Sequence, residues 1–244
     1  TQKLADFEFS TTKKETHYLW KIDDVLEINW LQNIFKKTDS LYIADGHHRC
    51  EAAKLLSEEN EDPNNKAKDF ILSYLISENN IKIYEFNRLI KDLNGLSKVD
   101  FIKKLEVHFT IDNHEEHPFK PTEKHQFGMY LDQQFYSLVL KKEQAHFENA
   151  HDALDAQILY DKVLLPILNI VDLRNDERIE YISGKQPIQD LKQKIDDQEF
   201  EVGFLLFPSN INEIKALADR DLIMPPKSTY IEPKFRSGLV IYEL

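Results

Sequence analysis

One cysteine, six glycines and two methionines among 244 residues, and no apolar run approaching bilayer length, set the first limits on this chain. A lone Cys50 closes no intrachain disulfide, and no charged segment leads into an apolar one at the start, so the compartment is read as cytoplasmic. The longest apolar stretches, Phe70 to Ile76 and Val202 to Pro208, fall far short of the ~20 residues a membrane helix needs. A basic excess is missing too: 31 Lys and Arg stand against 43 Asp and Glu, a net charge of −12. With no basic cluster to offset that charge, direct nucleic-acid contact is not expected. Average usage of ~7% would give about 17 glycines, so each of the six marks a place where the backbone has a use for it.

What is present describes a folded, acidic protein. Apolar residues make up 41% and charged residues 30%, and at roughly 150 residues per domain the length allows one large domain or two small ones. The first dozen residues, TQKLADFEFSTT, open on Thr1 and read as the interior of a longer chain.

Hydrophobic spacing predicts an α+β chain, with a mixed sheet and flanking helices. His17 to Ile22 reads as a strand and Val25 to Phe35 as an amphipathic helix. Leu41 to Ala44 reads as a short buried strand ending at Asp45-Gly46, and His47 to Ser57 as the helix that follows. Phe70 to Ile76 and Ile81 to Phe86 read as two strands, although periodicity alone leaves a helix open for the first. Ser97 to Leu105 is a short helix with Ser97 or Asp100 as cap, followed by alternation through Val107, Phe109 and Ile111. Gln126 to Leu131 and Phe135 to Leu140 flank Asp132-Gln133-Gln134 as a hairpin. Ala153 to Leu168 is the strongest helix pattern, with Leu165 inward and a break near Pro166. Glu180 to Ile182 reads as a strand, Ile188 to Ile195 as a helix, Val202 to Phe207 as a central strand covered on both faces, Ile211 to Ala218 as a helix and Gly238 to Tyr242 as a closing strand. The polar Glu58 to Asp69 stretch is the expected seam, and Trp20 and Trp30 are assigned to the core.

The strongest local signal for chemistry is Ala44-Asp45-Gly46-His47-His48-Arg49. A strand, a glycine turn and a helix start within a few residues leave free amide N–H groups and a positive dipole end facing outward, which suits an anion. Arg49 adds a two-pronged phosphate donor, and His47 and His48 add groups that titrate near neutrality. Asp45 orients an imidazole, holds a divalent metal ion, or caps the helix; spacing alone leaves these open. Lys227-Ser228-Thr229 follows two prolines that hold the backbone extended. It is either a polar loop or a second phosphate contact, and it is not a Walker A loop, because no Gly-x-x-x-x-Gly precedes the lysine. His114-Glu115-Glu116-His117 lacks the zinc-protease spacing and reads as a solvated loop, and His151, Asp152 and Asp155, at the start of a helix where acids favour the dipole, read as capping. No metal site is assigned.

The string IADGHHRCEAA resembles the signature of the domain-of-unknown-function 1015 family, whose members are similar to the ParB/sulfiredoxin nucleotide-binding fold and to a free serine kinase. Thr16 to Ile22 (THYLWKI) resembles the segment upstream of that signature. Met224 to Tyr230 (MPPKSTY), with Glu232-Pro233-Lys234 and Ser237 to Val240, resembles the family's C-terminal signature. The resemblance implies a C-terminal portion of a longer protein, with residues 1–60 belonging to a ParB/sulfiredoxin-like strand, glycine turn and helix, and 61–244 forming an α+β region packed on it.

It further implies a nucleotide site for ATP or ADP with Mg²⁺, in which Gly46, His48, Arg49, Arg88, Lys227, Ser228 and Thr229 contact the phosphates. Asp45 and His47 are the catalytic candidates. Sulfiredoxin chemistry is not expected, since His47 stands where the reactive cysteine would. Two departures from the family pattern bear on catalysis: Phe86-Asn87-Arg88 replaces a Thr-His-Arg string, and Cys50 replaces an aromatic. The functional expectation is a phosphotransferase acting on a small metabolite such as an amino acid. The alternative is a non-catalytic, nucleotide-dependent module of the ParB type.

Overall fold

The computed structural model describes the chain apart from residues 1–2, 13, 60–61, 63–64, 235, 237 and 244. It divides into two compact units, Thr1–Ile43 and Ala44–Leu244. The boundary expected after residue 60 falls on residues outside those described, as does Ser237 of the C-terminal signature.

The first unit holds an antiparallel pair, β1 (Phe7–Ser10) and β2 (Thr16–Leu19), and one helix, α1 (Val25–Phe35). The α1 bounds match the periodicity, because Asp24 caps the helix by accepting from the Leu26 and Glu27 amides at 2.9 Å. The two tryptophans are not core residues: Trp20 is 51% and Trp30 62% exposed.

The second unit is built on an antiparallel sheet that contains seven strands among the described residues. They are β3 (Lys82–Ile90), β4 (Phe109–Glu115), β5 (Gln126–Leu131), β6 (Gln134–Leu140), β7 (Ile179–Ser183), β8 (Val202–Leu205) and β9 (Thr229–Glu232). The order is β4-β6-β5-β8-β3-β7, with β9 pairing to the first half of β3. The β5–β6 hairpin forms where Asp132 and Gln133 both take positive φ, 49° and 60°, the two-residue turn whose twist suits a hairpin.

The sheet is covered on both faces. On one, α3 (Lys98–Leu105) and the segment around α4 (Asp155–Leu159) pack with Ile90, Met129 and Phe204; on the other, α5 (Ile188–Asp196) packs with Leu89, Tyr130 and Leu205. Successive residues of β3, β5 and β8 thus enter opposite cores, as period 2 requires. Val202 to Leu205 is the central strand its continuous apolarity implies, and Gly203 lets α5 approach: a Cβ there would lie 2.7 Å from Leu191 Cδ2. The overall class is a mixed α+β fold with an antiparallel sheet and flanking helices. No helix among the described residues is long and apolar enough to cross a membrane.

Several expectations are corrected. Leu41 to Ala44 carries no strand, and Leu41 and Ile43 are exposed. Phe70 to Ile76 is likewise irregular chain outside the sheets, with Phe70 64% exposed. Apolar sequence supplies strand propensity, but the ladder needs a neighbouring edge and neither segment lies on one. The helix expected over Ala153 to Leu168 is α4 followed by one π turn, Tyr160–Leu164, which rotates Leu164 into the core and leaves Leu165 38% exposed. Gly238 to Tyr242 carries no strand; the closing strand is β9, some ten residues earlier.

Candidate functional site

Asp45 and Gly46 lead into α2 (His47–Glu58). Gly46 adopts φ +88°, a left-handed conformation that favours glycine. A Cβ at this position would meet the Arg49 guanidinium at 2.6 Å. Glycine therefore does two things here: it turns the backbone into the helix, and it lets Arg49 fold back over the turn. No side chain caps the helix, so the first-turn amides of His47, His48 and Arg49 keep no side-chain acceptor. These are the donors that a helix start offers an anion.

The Asp45 carboxylate stands between two cations. Arg49 Nη2 lies 3.5 Å from Oδ2, and Lys234 Nζ donates to Oδ1 at 3.2 Å. Both pairs are solvent-exposed, the class of ion pair that contributes least and rearranges most easily. His47 and His48 are exposed on the first turn, His48 Nδ1 lying 3.9 Å from Glu51.

Arg88, Lys227 and Ser228 form a second group. Arg88 sits on β3 and is 1% exposed, with no carboxylate bonded to it among the described residues. Its terminal nitrogens donate to backbone carbonyls, Nη1 to Phe86 and Nη2 to Lys227 at 3.3 Å, while Nε has no hydrogen-bond partner. Burial pulls its pKa down to about 10, against a smaller opposing effect of Tyr181, whose ring lies 5.5 Å from the guanidinium carbon. Lys227 follows the two prolines and has φ +53°, an uncommon conformation for a lysine, and its carbonyl is the one Arg88 holds. Ser228 is 7% exposed, and its hydroxyl donates to the Pro225 carbonyl at 2.7 Å. Thr229 begins β9 and pairs in register with Glu85.

The structure thus gathers Asp45, Gly46 and Arg49 with Lys234, and Arg88 with Lys227 and Ser228. The link between the groups is aromatic: Lys234 Nζ lies 5.3 Å from the Tyr230 ring centroid, Tyr230 packs on Phe86 at 5.9 Å, and Lys227 Nζ lies 5.6 Å from the Phe86 centroid. Lys234, Tyr230 and Phe86 are not among the site residues expected from sequence. The signal for Phe86 lies in the alternation Tyr84, Phe86, Arg88, which continues past the expected end of the strand, whereas Tyr230 and Lys234 stand in the C-terminal strings without a pattern that points to β3. Asn87 faces the other way, its Oδ1 accepting from the Leu206 amide at 3.1 Å, so this departure from the family string holds the end of β8 in place. His114 donates to or accepts from Ser137 at 2.9 Å, and no group of three or more metal-ligating side chains occurs among the described residues. Asp155 lies in the first turn of α4 but does not cap it: it is 6% exposed and accepts from the His125 amide at 3.0 Å, and burial raises its carboxyl to about 6.

Residues 1–157 match the model of a family described as a protein of unknown function, DUF1015. The chain belongs to this family. Among curated proteins no sequence matches it. Solved structures similar to this family member include a free serine kinase variant in complex with AMP, at 16% identity and a TM-score of 0.42, covering 78% of this chain and 66% of that one. A free serine kinase variant in complex with ADP matches at 17% identity and 0.41, over 78% and 66%. A conserved hypothetical protein from Pyrococcus furiosus matches at 16% identity and 0.43, over 82% and 73%. The chain therefore spans about two thirds of the kinase chains it matches. Likeness at this level adds no weight to the geometry.

Proposed function

We propose that this chain binds a nucleotide at the Gly46 turn and serves a phosphotransferase that acts on a small metabolite such as an amino acid. The observation that carries the reading is the left-handed Gly46 with its uncapped helix start, backed by Arg49 and Lys234. Two cations that hold only an exposed carboxylate are available to a phosphate, whose greater charge attracts them more strongly. On binding, Arg49 and Lys234 transfer from Asp45 to phosphate oxygens, and the amides of His47 and His48 complete the cradle. Lys227 and Thr229 approach from the β9 side, while Arg88 and Ser228 act from beneath, fixing the Pro225 to Lys227 backbone. This arrangement is the sense in which a ParB/sulfiredoxin-like site is proposed.

In the transfer, the acceptor hydroxyl oxygen bonds to the γ-phosphorus as the bond to the β,γ-bridging oxygen breaks, and ADP leaves. The hydroxyl proton goes to Asp45, freed from its cations, or to His47. Positioning and charge neutralisation supply most of the acceleration in such reactions. Where Mg²⁺ is bound, Asp45 would be the carboxylate to hold it, and His47 would then take the proton. When bound, Mg²⁺ would neutralise phosphate charge.

Thermal shift with ATP and ADP, with and without Mg²⁺, tests the assignment on the chain and on Arg49→Ala. A nucleotide at ~100 times its dissociation constant adds about 2.7 kcal/mol, and the variant should lose most of the shift. A shift undiminished in Arg49→Ala overturns the site. Acceptor-dependent release of ADP from ATP, or of AMP from ADP, then separates a transferase from a ParB-like module, which binds without turnover.

A further inference from the structure

The face of β3 that carries Arg88 is aromatic along its first half. Tyr84, Phe86 and Arg88 alternate on one side of the strand; Tyr230 stands opposite Tyr84 on β9, and Tyr181 opposite Arg88 on β7. The rings meet edge to face. Tyr84 and Tyr230 meet at 6.4 Å and 60°, Phe86 and Tyr230 at 5.9 Å and 82°, and Phe86 and Tyr181 at 6.4 Å and 86°. All four are half-buried.

Cations surround this floor. Lys227 and Lys234 lie over Phe86 and Tyr230, Arg88 over Tyr181, and Lys185, ion-paired with Glu232, is close enough to Tyr230 and Tyr84 to feel their phenols. Against four cations the carboxylates in contact are Glu232 and Asp45. In a chain of net charge −12, such a local excess of positive charge on aromatic rings fits a ligand that is both planar and anionic. Lysines lying on the ring faces can swing outward on flexible stems, exposing the rings and meeting phosphate at the same time.

We infer that the Tyr84, Phe86 and Tyr230 face is the seat of the nucleobase, with Lys227 and Lys234 at the phosphate end leading to the Gly46 turn. This rests on the nucleotide reading and adds where the base lies and how it is held. Stacking is tolerant of base identity, since every base has a π-face, so the site discriminates a nucleotide from a sugar phosphate more strongly than one base from another.

The test is calorimetric binding of AMP and of ribose 5-phosphate to the full chain, Tyr230→Leu, Tyr230→Phe and Lys227→Ala. Tyr230→Leu should weaken AMP by about tenfold or more, the range that base-stacking rings span, and leave ribose 5-phosphate unchanged. Tyr230→Phe should keep AMP affinity, and Lys227→Ala should weaken both ligands. AMP binding indifferent to Tyr230→Leu, or weakened only as much as ribose 5-phosphate, overturns the nucleobase seat while leaving the Gly46 site standing. Failure of the native chain to bind AMP overturns the seat, and failure to bind ATP or ADP as well overturns the Gly46 site. If Tyr230→Leu does not fold, ring-current shifts of tyrosine proton signals in the native chain decide: AMP should produce them and ribose 5-phosphate should not, and their absence with AMP bound overturns the seat.

Discussion

Two apolar segments of the second unit have nearly the same character and opposite fates. Phe70 to Ile76 (FILSYLI) is irregular chain outside the sheets with Phe70, Leu72 and Leu75 about half exposed or more, whereas Val202 to Leu205 (VGFL) is buried on both faces between β3 and β5. Local composition does not separate them. What separates them is context: β8 has an edge to pair with on each side and a helix approaching over Gly203. The stability of this chain should therefore be concentrated in residues 82–206, and substitutions of similar size should have effects that differ by region.

The largest contrast is expected from matched truncations. Phe204→Ala removes a fully buried ring from the center of the sheet and should cost about 3–5 kcal/mol in urea unfolding. Leu72→Ala, at 47% exposure, should cost less than about 1 kcal/mol. Equal losses would mean that 70–76 is packed in solution as tightly as β8, and the comparison would fail.

Asp155 sharpens the picture from the buried side. Its carboxyl is raised from 3.8 to about 6, first by burial, and Oδ2 has no hydrogen-bond partner. The folded state then holds the proton more tightly than the unfolded state. Below pH ~4 both states are protonated and Asp155 costs nothing; as pH rises through 6 the folded state loses stability. Two pKa units correspond to about 3 kcal/mol at most. The stability of Asp155→Asn relative to the native chain, followed by urea unfolding, should rise by up to that amount between pH 4 and pH 7. A flat difference would show that the carboxylate is solvated.

Gly46→Ala should have a smaller effect on stability, about 1 kcal/mol from the positive φ, because the turn is exposed and lies outside the sheet. Its effect on ligand should be larger, since the new methyl group displaces Arg49; phosphate or nucleotide affinity is the measurement. Smallest of all should be Lys98→Ala at the partly exposed pair with Asp132, worth about 0.2–1 kcal/mol by the same unfolding measurement and less in high salt.

The elements legible in sequence were those whose signal is local. α1 and α6 (Ile211–Ala218) match their patterns end for end. For α6 the reason is visible, since Asn210 and Glu213 form a reciprocal capping box. The β5–β6 hairpin was legible because its turn carries its own backbone conformation. Nothing local distinguishes 41–44 or 70–76 from true strands, and the π turn after α4 breaks a periodicity that looked continuous through Leu165. At the site, Gly46 and Arg49 lie close in sequence and could be read together, whereas the contacts of Lys234 with Asp45 and of Tyr230 with Phe86 join distant parts of the chain. Period-2 alternation in β3 placed the rings on one face, but only the β9 register shows what stands opposite them.

That pairing of β3 with β9 also has a consequence in time. The hairpin of β5 and β6 closes over neighbouring residues, while Tyr84 waits for Tyr230, and contacts between distant residues form late because the intervening loop must first be ordered. During refolding, tyrosine signals that report the ring cluster should therefore develop after the signals of the sheet center. A molecule caught between the two events would be folded by most criteria and still lack the cluster of rings on β3 and β9.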